Sequence, residues 1–464
     1  MNRYKELWRA IIESVSGTEQ DFTSGSLKRA ILLLSIPMVL EMLMESIFAV
    51  VDIMFVSRLG ADAVAIVGIT ESMMTIIYAL SMGLGVGATA LVSRRIGEKN
   101  YRGASFVATQ AVLAGLFVSV VISIVGFAYS RDLLHMMGAS EIAIDKGWKY
   151  TAWMISGNLV IVLLFINNSI FRSAGDAAIS MRVLWIANLL NISLDPCLIY
   201  GWGPFPELGI EGAAVATNIG RAIGVIFQFY FLFNGKHRIK LHIREFFPDF
   251  KLMLKLVQLS LGGIAQNLIA TTSWVVLVKI LATFGSSVVA GYTIAIRIVV
   301  FALLPSWGVS NATATLVGQS LGANLPERAE RAVWITGKIN MILMGIIGIT
   351  IILFPGFFMR LFIPDMAVVE YGSVALFIIS CGLVFYSFGM VTIQAINGAG
   401  DTFTPMWLNI VCFWLIELPL AYFLTFNTEL HQKGVYLAIV IAESVLAVAG
   451  TVLFIRGKWK LKKV

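Results

Sequence analysis

The sequence predicts an all-α polytopic membrane protein. Twelve transmembrane helices form two six-helix lobes related by a pseudo-twofold axis along the membrane normal. Three observations predict this. Hydrophobic residues fill 58% of 464 positions and charged residues 13%, with a mean hydropathy of +0.86; a chain this apolar belongs in a bilayer. Twelve apolar runs of spanning length follow one another. Four short motifs also recur at a single offset of 225 residues.

In the first half the spans are expected near 30–56, 63–93, 105–129, 149–170, 180–201 and 211–234. In the second they fall near 252–283, 287–316, 332–355, 372–396, 405–426 and 434–455. Crossing takes roughly 20 residues; longer runs tilt, kink or continue past the lipid. Pro37 interrupts span 1, removes a backbone hydrogen bond and can kink the helix. It is the candidate hinge, with a fixed kink as the plainer reading. Gly83, Gly85 and Gly87 in span 2 suit close packing or bending.

Lys and Arg orient the chain. With the N-terminus inside, the inner segments carry twenty-five and the outer segments six, so both termini are expected in the cytoplasm. The expected organisation is a cytoplasmic segment 1–24, an N-lobe 25–235, a basic linker 236–251, a C-lobe 252–455 and a basic tail 456–464. The formal net charge of +7 needs no nucleic acid partner; topology and anionic inner-leaflet lipid account for it.

Several chemistries find no residues. Cys197, Cys381 and Cys412 sit in apolar runs and form no disulfide framework. His135, His237, His242 and His431 fall in expected connections, outside any HExxH or Cys/His cluster, so no metal site or cofactor is expected. No GxxxxGKS/T loop suggests ATP use.

The repeat pairs "RSAGD" (172–176) with "NGAGD" (397–401) and "LGADAVA" (59–65) with "FGSSVVA" (284–290). "ATALVSRRIG" (88–97) likewise pairs with "ATATLVGQSLG" (312–322), and "ELGIEGAAVA" (207–216) weakly with "QKGVYLAIVI" (432–441). Shifted by the same offset, Glu41, Glu45 and Asp52 of span 1 become Gln266, Ala270 and Leu277, while Asn191 and Asp195 of span 5 become Ile416 and Leu420. The acids are not shared, which points to a site in the first half.

Positions 41, 45 and 52 fall within about 40° of one another on a helix, over about 16 Å of rise. Asn188, Asn191 and Asp195 share one face of span 5. An ionised acid at mid-bilayer costs about 2.5–3.5 kcal/mol on insertion scales. Such stripes are expected to face a wet chamber. Burial and mutual repulsion disfavour the ionised form of a carboxylate, a property that proton coupling requires. Plainer readings stand beside this one: Glu41 and Glu45 at a helix end or water-filled mouth, Asp52 snorkelling toward Arg58, Asp195 satisfying backbone donors freed by Pro196.

"VVDIMFVSRLGADAVAIVG", "FRSAGDA", "NISLDPCLIYG" and "GIEGAAVATNIG" resemble the multidrug and toxic compound extrusion antiporters over nearly the whole chain. The resemblance implies a multi-pass plasma (inner) membrane protein, a monomer that is not an enzyme. It implies export of organic cations and other amphipathic drugs in exchange for H⁺ or Na⁺. Asp52, Asp195 and Asn191 match the family's cation-coupling residues, with Na⁺ possible at the two acids, Thr217 matches a span 6 hydroxyl, and Pro37 the bending proline. Glu41, Glu45, Asn188 and Thr217 are the candidate substrate-cavity residues, although Glu41 and Glu45 lie outside the family pattern. The acids of NorM-type members in spans 7 and 10 are missing here, and the sequence resembles the DinF-like branch more. Glu71, Glu417 and Glu443 receive no role beyond pairing with Arg221, Lys279 or Arg297.

The implied mechanism is alternating access, in which protonation of Asp52 and Asp195 bends span 1 near Pro37. Its rival within transport is a lipid-linked saccharide flippase, which needs a cationic cavity for pyrophosphate. An intramembrane enzyme needs a nucleophile with a base or metal ligands. A channel has no use for the repeat and the bent helix.

Overall fold

A computed structural model describes residues 11–17, 22–234 and 238–462. Expectations that fall on residues 1–10 and 18–21 of the N-terminal segment, on Lys236 and His237, and on Lys463 of the tail lie outside the described residues. No strand occurs among the described residues.

The first six spans are α1 (Leu27–Ser57), α2 (Ala61–Gly97), α3 (Tyr101–Met136), α4 (Glu141–Ser156) with α5 (Asn158–Ala174), α6 (Ala177–Tyr200) and α7 (Ile210–Asn234). The second half opens with α8 (Phe250–Leu281), α9 (Ser286–Gly322), α10 (Pro326–Leu353) and the short α11 (Pro355–Arg360). It continues with α12 (Met366–Cys381), α13 (Leu383–Gly398) and α14 (Phe403–Asn409). A π-helical segment (Ile410–Glu417), α15 (Leu418–Phe426) and α16 (Gln432–Ile455) complete it. Among the described residues, ten spans are long and apolar enough to cross a membrane, and α12 with α13, bent by 53°, makes an eleventh. The 31 residues of α1, with three acids, supply the twelfth.

Helix ends run past the apolar windows because polar caps sit outside them. Asn100 accepts from the Gly103 amide at 2.8 Å and opens α3 at Tyr101, ahead of the expected 105. Ser140 accepts from Ala143 and opens α4 at Glu141, ahead of 149. The longer α3 also carries His135 in its last turn, where the sequence placed a connection; it pairs with exposed Glu141 at 2.9 Å.

The repeat is visible in the backbone. Gly60 and Gly285 have φ of 101° and 106°, and Gly175 and Gly400 have 95° and 90°. Each pair is one repeat apart, and each residue occupies a left-handed conformation that a side chain strains. Lys99 and Asn324, also one repeat apart, share it at 57° and 59°.

By contacts, the chain divides into two compact units that do not follow the lobe boundaries expected from the spans. One holds Leu40–Ile264 with the short helical stretch 11–16, and the other holds Phe22–Val39 with the described chain from Ala265 on. The first thirteen residues of α1 therefore group with the second half, and the first fifteen of α8 with the first half. Close backbone packing on glycine is the physical cause. Gly308 of α9 lies against Met38 and Val39, and Gly83 of α2 lies against Ser260 and Ile264.

Within the first unit, glycines of the "GIEGAAVATNIG" motif let α7 meet α6 backbone to backbone. A Cβ on Gly220 would stand 2.7 Å from the Ala187 carbonyl oxygen. This approach brings Asn191 and Thr217 into contact.

Gly175→Val and Gly400→Val should each cost about 1–3 kcal/mol from backbone strain, read as a lower melting temperature of the purified protein. Gly68→Ala, where a Cβ meets open space, should melt no lower than the parent.

Candidate functional site

The stripe on α1 is answered by three other helices of the first unit. Glu41 is buried. Its Oε1 accepts from Asn168 Nδ2 at 3.1 Å and from Arg172 at 3.2 Å, both on α5, while Oε2 has no hydrogen-bond partner. Behind it, Gln228 of α7 donates to Asn168 Oδ1 at 2.7 Å and accepts from Asn167 at 3.1 Å. One turn on, Glu45 is partly open and accepts from Asn188 of α6 at 3.0 Å. Its other oxygen lies 3.8 Å from Arg221 of α7. Arg221 is itself buried, donates to the Tyr78 hydroxyl at 3.3 Å and stands over the Phe48 and Tyr78 rings.

Farther along, the answers run out. Asp52 is half-buried, and its Oδ1 is buried without a hydrogen-bond partner. Asp195 of α6 is fully buried, and neither carboxylate oxygen has a partner among the described residues. The bond to backbone donors that the plainer reading of Asp195 requires is not there. Asn191, one turn back, donates to Thr217 Oγ1 at 2.9 Å and leaves its Oδ1 unpartnered. The Tyr200 hydroxyl donates to the Phe55 carbonyl at 2.6 Å, tying the end of α6 to the end of α1.

Of the expected coupling residues, Asn191 bonds Thr217 one turn from Asp195, and of the expected cavity residues, Asn188 bonds Glu45. Glu41 shares the α1 stripe, is buried and is held through Oε1 by Asn168 and Arg172. Sequence reasoning missed Arg172, Tyr78 and Gln228. Arg172 carried a signal, as the first residue of the repeated "RSAGD". Arg221, one of three basic residues that the sequence offered to the remaining acids, stands near Glu45 here.

In the second unit Gln266 takes the place of Glu41. It exchanges two hydrogen bonds of 3.1 Å with Asn397 and donates to the Thr402 carbonyl at 3.0 Å. Glu417, in the π-helical segment, accepts from Ser273 of α8 at 2.6 Å. Among the described residues, no group of three or more His, Cys, Asp or Glu is gathered to hold a metal.

The MatE family model matches this chain twice, over residues 37–197 and 264–423, once in each half. The chain belongs to the MatE family. Its relatives are transporters and not enzymes. A probable multidrug resistance protein NorM of Thermotoga maritima is 24% identical over 439 residues, 94% of each chain. An FAD transporter of Shewanella oneidensis is 27% identical, covering 92% of this chain and 94% of its own. A multidrug resistance MATE family transporter of the MOP superfamily, solved in an outward-facing conformation, is 30% identical. It has a TM-score of 0.89 and covers 96% of this chain and 98% of its own. A MOP superfamily transporter from Pyrococcus furiosus is 29% identical at a TM-score of 0.89, over 95% and 98% of the chains. It is described as having a binding pocket of reversed polarity that suggests a different function.

Thr217→Val should leave the Asn191 amide buried and unpaired, at about 1–3 kcal/mol, whereas Thr217→Ser keeps the hydroxyl. Melting temperatures of the purified variants check the ordering of parent, Ser and Val.

Proposed function

We propose that this MatE family member exports organic cations and other amphipathic compounds across the plasma (inner) membrane. Export is in exchange for H⁺ or Na⁺, by alternating access. The reading includes a monomer with both termini in the cytoplasm and kinship with the DinF-like branch. The observation that carries it is Asp195: fully buried, with both oxygens unpartnered among the described residues. An isolated carboxylate in a bilayer interior needs a proton or a cation to be tolerated. Asp52, Asp195, Asn191 Oδ1 and Thr217 offer oxygen donors, which suit a proton or a hard cation.

The coupling cycle follows from that chemistry. Ion entry at Asp52 and Asp195 neutralises one face of α1 and α6 and changes their polar contacts. α1 bends near Pro37, and substrate leaves. Ion release to the other side restores the charged state that holds cationic cargo. Exchange requires each ligand to favour a different state. Glu45, Asn188 and Thr217 are the proposed substrate-facing polar groups; Glu41 is left out because Arg172 consumes it.

A lipid-linked saccharide or another phosphate-bearing cargo, such as that of the relative named for FAD, needs a spare buried cation. Arg172 and Arg221 of the first unit each already stand against a carboxylate, which favours cationic cargo.

Asp52→Asn and Asp195→Asn should each abolish gradient-driven dye efflux in everted vesicles while the protein stays folded. The assay is run under an imposed pH gradient and under an imposed Na⁺ gradient. Undiminished efflux in a folded Asp52→Asn variant would remove Asp52 from the mechanism.

A further inference from the structure

α1 and α8 each begin in one compact unit and end in the other. The change comes between Val39 and Leu40 in α1 and between Ile264 and Ala265 in α8, at the same register of the repeat. What holds the helix on either side of that point is also repeated.

Just before the change, each helix lies on a glycine. A Cβ on Gly308 would stand 2.8 Å from the Val39 nitrogen and 2.9 Å from the Met38 carbonyl carbon. A Cβ on Gly83 would stand 2.7 Å from the Ile264 nitrogen and 2.9 Å from the Ser260 carbonyl oxygen. These are backbone atoms, which cannot rotate aside. Gly83 and Gly308 are one repeat apart.

Just after the change, each helix is held by a pair of polar side chains. In α1 the pair is Glu41 with Arg172, at 3.2 Å. In α8 it is Gln266 with Asn397, through two bonds of 3.1 Å. Glu41 and Gln266 are one repeat apart, and so are Arg172 and Asn397. The same contact is thus ionic in one half and amide-to-amide in the other. Both members differ together, as electrostatics demands: a mixed pair would leave a buried charge unanswered.

We propose that these two pairs fasten each crossing helix to the unit it enters, and that Glu41 and Arg172 are positioning residues, not ligands of substrate or coupling ion. The fastening fixes the rotation of α1. It thereby sets where Glu45, about one turn on, and Asp52, about three turns on, point. Only the transport readout of this proposal rests on the function proposed above.

The test compares full-length parent, E41Q, R172N and the E41Q/R172N double variant, by thermal melting in detergent and by ion-gradient-driven dye efflux after reconstitution. Each single variant should melt below the parent. The double variant should recover most of the loss, because a Gln–Asn pair already fits the equivalent place in the other half. Its dye KM and its response to the coupling-ion gradient should match the parent's. Additive losses in the double variant, or no loss in either single, would overturn the fastening. A double variant that melts like the parent but loses efflux or changes dye KM would return Glu41 to the binding surface and overturn it equally. If a single variant cannot be purified, recovery of a folded double variant supports the proposal and its failure to fold counts against it. An Asp52→Asn protein with intact efflux would strike the coupling reading alone and leave this melting cycle standing.

Discussion

A carboxylate inside a bilayer has no water to answer its charge, and the first half of this chain is organised around that constraint. On α1 the acids meet it in three different ways. Glu41 is answered by Arg172 and Asn168, and Glu45 by Asn188 with Arg221 near by. Asp52 Oδ1 and both oxygens of Asp195 have no hydrogen-bond partner among the described residues. Breaking a buried ion pair is costly because it strands a charge, which commits Glu41 to Arg172. In the proposed cycle Asp52 and Asp195 trade a proton or a cation.

The second half acts as a control built into the same chain. It has the same spans, the same left-handed glycines and the same crossing of its first helix between compact units. It lacks the acids of α1 and α6. Where the contact is structural, as at Gln266 and Asn397, the repeat keeps it in neutral form. Where the first half has Asp52 and Asp195, the second has Leu277 and Leu420, which no packing requirement would force to be charged. Kept contacts and lost charges therefore sort the polar residues of α1 without reference to any relative.

Much of this was legible in the sequence, for definite reasons. Apolar runs longer than a bilayer is thick admit one backbone solution, so the spans and the repeat could be read directly. Asp52, Asp195, Asn191 and Thr217 were legible because their residue types are costly in lipid and their spacing puts them on helix faces. Glu41 was read as one more acid of the same stripe. Helical spacing reports which direction a residue points, not what meets it there. Its partner lies 131 positions away, on a helix whose rotation no local pattern fixes. The compact units depart from chain order for a similar reason. Chain order suggests a boundary at the basic linker, but glycines on α2 and α9 let backbones approach and draw the starts of α8 and α1 away from their own halves.

The sequence by itself determined the membrane-spanning helices, the twofold repetition and the list of costly polar residues, because lipid penalises every exception residue by residue. Only the tertiary structure decided which of those residues are satisfied and which are left open. That depends on distances between helices, and those are set by glycine contacts and side-chain pairs far apart in the chain.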